Sequence, residues 1–137
     1  MSDPLQITRL LRRPQFLAAA KGVSEARGAV VIQRLERGDG SAHIGVGFTA
    51  TRKVGGAVVR NRAKRRLREA ARLMIGQHGR PGSDYVFIAR MGTADRPWDR
   101  LLDDVKSTLT RLATPKTERA DRPSNPRASS GQDDRIP

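Results

Sequence analysis

Apolar and polar positions change rhythm along this chain, and each rhythm predicts an element. Over residues 43–49 they alternate strictly, with Ile44, Val46 and Phe48 on one face and His43, Gly45, Gly47 and Thr49 on the other. A period of two is a strand with one packed face. The glycines leave its second face bare, open to close approach by a side chain or ligand. Residues 29–35 (AVVIQRL) are β-branched and compact, which predicts another strand. The polar ERGDGS that follows contains Asp39-Gly40, a strong turn signal, so these two strands are expected to form an antiparallel hairpin. Residues 84–90 (DYVFIAR) make a strongly apolar third strand.

Where the period lengthens to about 3.6 residues, helices are expected. Pro14 suits a first helical turn, residues 15–21 (QFLAAAK) continue it, and Gly22 is a natural stop. Over residues 58–75, Val59, Ala63, Leu67, Ala70 and Met74 fall within roughly 80° on a helical wheel, a stripe for the core. Residues 77–83 are a loop by their Gly and Pro content. Pro97 opens a last helix, whose stripe is Trp98, Leu101, Leu102, Val105, Leu109 and Leu112. Strand, helix and strand in succession suggest a βαβ unit with parallel strands. After Ala113 the pattern stops. Residues 115–137 hold four prolines, five basic and four acidic residues, which predicts a disordered tail. The expectation is one α/β domain over 1–114, with about three helices and a small mixed sheet, and a tail over 115–137.

Charge changes the picture. The chain carries a formal +13 and a pI near 11.6, which points to nucleic acid before membranes or acidic proteins. Residues 52–72 hold nine Lys or Arg and a single acid, Glu69. Arg60, Lys64 and Arg68 recur every four residues and so stack on one helical row, with Asn61, Arg65 and Arg72 on adjoining rows. Like charges at that spacing destabilise an isolated helix. A polyanion outside the helix would compensate them.

Other classes recede. The chain has no cysteine, which excludes disulfides and thiolate metal sites and fits a reducing compartment. No apolar run approaches the ~18 residues of a membrane span, and the first thirteen residues lack the apolar core of a signal peptide. A cytoplasmic protein is expected. His43 and His78 lie in different elements, and there is no nucleophile elbow or phosphate-cradling loop. Asp99, Asp103 and Asp104 read as the solvated face of the last helix. No catalytic apparatus, metal site or cofactor is expected in the protein alone. Arg provides a planar donor fork for phosphates, and Asn61 between two arginines can bond a base edge or a 2′-hydroxyl. No helix-turn-helix partner precedes the basic helix, which favours RNA over DNA.

The run Arg52-Lys53-Val54-Gly55-Gly56-Ala57-Val58-Val59-Arg60-Asn61-Arg62-Ala63-Lys64-Arg65-Arg66-Leu67-Arg68-Glu69 resembles the signature of the bacterial ribonuclease P protein subunit, with Arg-Asn-Arg as its hallmark. The order of elements agrees over about residues 8–113. The resemblance implies an α+β sandwich with a mixed four-stranded sheet and a left-handed βαβ crossover, against the general rule. It implies an auxiliary role beside a catalytic RNA, which removes the 5′ leader of precursor tRNA using bound magnesium ions. Arg52, Lys53, Arg60, Asn61, Arg62, Lys64, Arg65 and Arg68 occupy RNA-contacting positions of the family. Phe16, Ile32 and Arg90 would line a cleft for the single-stranded leader. Ala20 and Ile32 stand where the family often has aromatics, which weakens stacking worth ~1–3 kcal/mol per base. The alternative is a structural, ribosome-associated RNA binder without a part in an enzyme.

Overall fold

In the computed structural model, which describes residues 7–113, the most apolar strand takes the centre of the sheet. The elements in chain order are β1 (Ile7–Arg9), α1 (Arg13–Ala20), β2 (Val23–Arg27), β3 (Val30–Glu36), β4 (Ile44–Thr49), a 3-10 turn (Arg52–Val54), α2 (Ala57–His78), β5 (Ser83–Ala89) and α3 (Trp98–Ala113). The sheet order is β1-β4-β5-β3-β2. β5 runs parallel to β4 and antiparallel to β3, so β4, α2 and β5 form the expected βαβ unit. The tail predicted for 115–137 lies outside the described residues.

Two expectations are corrected. β3 and β4 do not form a hairpin, because β5 lies between them. A hairpin would leave β5 at an edge, although its residues are buried on both faces; such a strand belongs inside a sheet. The loop after β3 instead folds around Arg37, which bonds Asp39 at 2.9 Å and Asp84 at 2.7 Å and donates to the carbonyl of His43 at 2.6 Å. The sheet also has five strands, not four. β1 is three residues long, and β2 (VSEAR) is a polar edge strand antiparallel to β3. Charged, short edges resist further pairing, and they also weaken the sequence signal.

The sheet separates two apolar clusters. On one face α2 and α3 pack over Val30, Ile32, Ile44, Val46, Tyr85 and Phe87. On the other, α1 packs Ala19 and Phe16 against Leu10, Leu35, Val86 and Ile88. Gly47 makes this second layer possible, since a Cβ there would come within 2.6 Å of the Phe16 ring. Gln15 fixes the start of α1: its side-chain oxygen accepts from the backbone N–H groups of Leu11 and Arg12, each at 3.0 Å. The stripe on α2 is rotated slightly from expectation. Ala63, Leu67, Ala70, Ala71 and Ile75 are buried, while Val59 is exposed.

Asp104 is the clearest departure from the expected solvated acid face. Asp99 and Asp103 are exposed, but Asp104 is 4% exposed. It accepts from the Ala29 N–H at 3.0 Å and from both forks of Arg96 at 2.9 and 3.2 Å. Gly28, at φ 55°, stands so close that a Cβ would overlap the Asp104 carboxylate. This acid ties α3 to the β2–β3 turn and to the loop that follows β5.

Candidate nucleic-acid interface

The basic segment divides into cations that hold the fold and cations that face outward. Gly55, at φ 147°, ends the 3-10 turn, and its carbonyl accepts from Arg60 Nη1 at 3.0 Å. Arg60 therefore fixes the turn that carries Arg52 and Lys53, both exposed. Arg66 is half-buried; it donates to the Thr93 carbonyl at 2.7 Å and to the Arg96 carbonyl, and lies 5.6 Å above the Trp98 ring. Burial, and then the nearby charge of Arg62, pushes the Arg66 guanidinium below its ordinary pKa. Arg72 bonds Glu69 one turn back, and that bond holds the Glu69 carboxyl below its usual range.

The remaining cations are uncompensated. Among the described residues, the side chains of Arg52, Lys53, Asn61, Lys64 and Arg65 make no hydrogen bond or ion pair. Arg62 meets Asp95 only at 3.8 Å, with both side chains exposed, a pairing worth little in water. Arg68 lies 5.8 Å above the Phe48 ring, its charge unpaired. Arg72 extends the row of Arg60, Lys64 and Arg68 rather than lying on an adjoining one, and the row runs toward β4 and β1, whereas Arg62 and Arg66 turn toward the loop before α3. The signature residues thus share one helix and its leading turn. The unexpected member of the set is Arg66, whose role is internal. Its spacing on the edge of the apolar stripe is the signal that separates it from Arg65.

The three cleft residues do not come together. Phe16 stands over Gly47 on the α1 face, partly exposed, beside Leu11 and Leu17, which are largely exposed. Arg90 is exposed just beyond β5, in step with Val86 and Ile88 on that face, and its guanidinium donates to the Gly28 carbonyl at 3.3 Å. Ile32 is 0% exposed and belongs to the core beneath α2 and α3, on the opposite face of the sheet. Strand alternation puts Val31 and Gln33 on the α1 face instead, both partly exposed. One residue of register decides which side chain can reach the α1 face.

No group of three or more His, Cys, Asp or Glu among the described residues could hold a metal ion. No described helix is long and apolar enough to cross a membrane.

Fold and surface together define a class: a mixed five-stranded α/β domain that presents a strongly cationic helix beside a half-open apolar face. Comparison with known proteins is more specific. A family profile described as Ribonuclease P matches residues 6–113, and the chain belongs to that family. The ribonuclease P protein component of Caulobacter vibrioides (strain NA1000 / CB15N) is 62% identical over 109 residues, 80% of this chain and 73% of that protein. That of Ruegeria pomeroyi is 52% identical over 112 residues, 80% of this chain and 90% of that protein. Among solved structures, the RNase P protein of Thermotoga maritima superposes with a TM-score of 0.65 at 26% identity, covering 77% of this chain and 98% of that one. The Staphylococcus aureus RNase P protein gives 0.65 at 24% identity, over 77% and 94%.

Proposed function

We propose that this protein is the auxiliary subunit of a ribonucleoprotein endonuclease that removes the 5′ leader of precursor tRNA. The observation that supports the reading is the set of outward cations on the 3-10 turn and α2 that have no close acidic partner among the described residues. In this reading Arg52, Lys53, Lys64 and Arg65 meet phosphates of a catalytic RNA, Arg62 and Arg68 extend the contact, and Asn61 reads a base edge or a 2′-hydroxyl. Arg60 contributes by holding the turn. The α1 face, with Phe16, Val31, Gln33 and Arg90, receives the single-stranded leader. The phosphodiester chemistry belongs to the RNA, with magnesium bound in the assembled particle and no cofactor held by the protein. The protein adds affinity, orientation and charge neutralisation. Neutralising ~6–10 phosphates makes affinity fall by ~10³–10⁵ between 50 and 200 mM salt.

Reconstitution tests this reading directly. Adding the protein to a ribonuclease P RNA at low magnesium should restore precursor tRNA cleavage; failure to do so would leave a structural RNA binder as the better description. Two variants test the residue roles. Asn61→Ala should weaken RNA binding with little change in salt dependence, whereas Arg65→Ala should lower the salt slope by about one. Equal slope losses would remove the specific role of Asn61.

A further inference from the structure

A cavity of about 350 Å³ opens between edge strand β1, strand β4 and the second half of α2. It lies on the α2 face of the sheet, away from α1 and Phe16. Its floor is apolar: Val46 and Phe48 from β4, Ala71 and Ile75 from α2. Phe48 is only partly buried and stacks on Phe87 at 5.3 Å between centroids. Ile7 closes one side and is itself 44% exposed.

The rim carries the opposite chemistry. Arg9 arrives from β1, and Arg68, Glu69 and Arg72 from α2. Arg72 and Glu69 neutralise each other through their hydrogen bonds. Arg9 and Arg68 have no ion pair among the described residues. Arg68 already lies across the Phe48 ring, so a flat guanidinium and a flat aromatic edge meet at the mouth. An apolar floor of this volume is within the range of small-molecule pockets, about 300–1,000 Å³. Two free guanidiniums at its entrance select an anion attached to a flat apolar group. That combination is a nucleotide.

We infer that this cavity takes one unpaired base of an RNA partner, packed against Phe48, with its phosphate held between Arg9 and Arg68. The inference rests on the RNA-binding reading and deepens it: Lys64 and Arg68, the two outward cations of the 60, 64, 68 and 72 row, then track the RNA backbone toward a base pocket. β1, at the edge of the sheet with no other described strand beyond it, forms the far wall. The pocket needs only a flexible RNA loop, because bases in loops can be splayed out and stacked.

The test uses the full isotopically labelled chain, titrated with adenosine 5′-monophosphate, ribose 5-phosphate and inorganic phosphate and followed by amide chemical shifts. The nucleotide should move the Val46, Phe48, Ala71 and Ile75 amides saturably, and ribose 5-phosphate should not. Ile7→Trp, which plugs the mouth from an exposed edge position, should abolish those shifts while leaving the rest of the spectrum in place. Arg9→Ala should weaken them without blocking the pocket. Ile7→Trp should also reduce affinity for ribonuclease P RNA about 5- to 150-fold, the range of one stacked base. Shifts clustered around Phe16 instead, or equal shifts with ribose 5-phosphate, overturn the pocket. So would shifts at the same amides that grow with protein concentration alone, which would place a second copy there. If the cavity is silent to the nucleotide while the protein still restores precursor tRNA cleavage, only the pocket falls. If the nucleotide titrates the cavity but cleavage is not restored, the pocket stands and the ribonuclease P role falls.

Discussion

Replacing Asp104 by alanine should unfold this protein more readily than any change to the exposed cations. The carboxylate satisfies the buried N–H of Ala29 at 3.0 Å and binds both forks of Arg96. Its own side chain is 6% exposed and that of Arg96 33%. Removing one partner of a fully buried pair costs about 3–5 kcal/mol, but Arg96 is near enough to water to regain part of its solvation. The Ala29 N–H is not, and an unsatisfied buried donor costs ~1–3 kcal/mol. The expected loss is therefore about 2–4 kcal/mol. For a domain of this size that lowers Tm by roughly 10–20 °C. Asp104→Asn retains one acceptor and should cost about half as much, since the Ala29 bond can survive. The assay is urea unfolding at neutral pH, followed by far-UV circular dichroism, with Arg96→Ala and the double variant completing a cycle. Coupling of at least ~0.5 kcal/mol is expected between the two positions. An alanine variant that loses under ~1 kcal/mol would show that the acid is no anchor, as would single losses that simply add.

Three further outcomes follow from the same geometry. Arg66→Ala should destabilise the fold by ~1–3 kcal/mol, because the Thr93 and Arg96 carbonyls lose a charged donor, whereas Arg65→Ala should leave Tm within about 2 °C; thermal melts of the pair check this. Gly47→Ala should force Phe16 off the sheet and cost ~1–3 kcal/mol, and should weaken leader binding more than binding to the catalytic RNA alone, measured with precursor tRNAs bearing and lacking a leader. Burial raises the Tyr85 phenol above its ordinary value of 10.0, partly opposed by the hydrogen bond from the Arg80 N–H and by Arg34. The folded state then holds the proton more tightly than the unfolded one, so this contribution is complete below pH 10 and is lost as pH climbs through the folded pKa. Tyr85→Phe should flatten the alkaline limb of stability against pH, and an unchanged slope would contradict the assignment.

The cationic helix was more legible in the sequence than the sheet was. The Arg-Asn-Arg run and its four-residue row could be read directly, because helical spacing alone decides which charges share a face. The same logic did not reveal that Arg66 and Asp104 serve the interior. Both lie at the margin of an apolar stripe, and only their distant partners, at Thr93, Arg96 and Ala29, reveal the difference. Strand pairing was less accessible still. The turn signal at Asp39-Gly40 is local, whereas the neighbour of β3 is chosen by where β5 can bury two apolar faces. Ile32 was misplaced by one residue of register, a distance too small for family likeness to resolve but enough to carry a side chain through the sheet. β1 and β2 left almost no trace, since one is too short for a period and the other too polar.

The central place of β5 also sets the order in which the protein can be made. Synthesis delivers β3, β4 and the whole of α2 before the strand that joins them. Until Ala89 has been added, the inner edges of β3 and β4 have no common partner, and α2 lacks part of the surface that buries Leu67 and Ile75. A helix with repelling charges along its row has little to hold it in that interval. The nascent basic segment is therefore expected to emerge as a loose polycation, its arginines acquiring fixed positions only once β5 has joined β3 and β4. A chain ending before Ser83 would keep every signature residue and lose their arrangement.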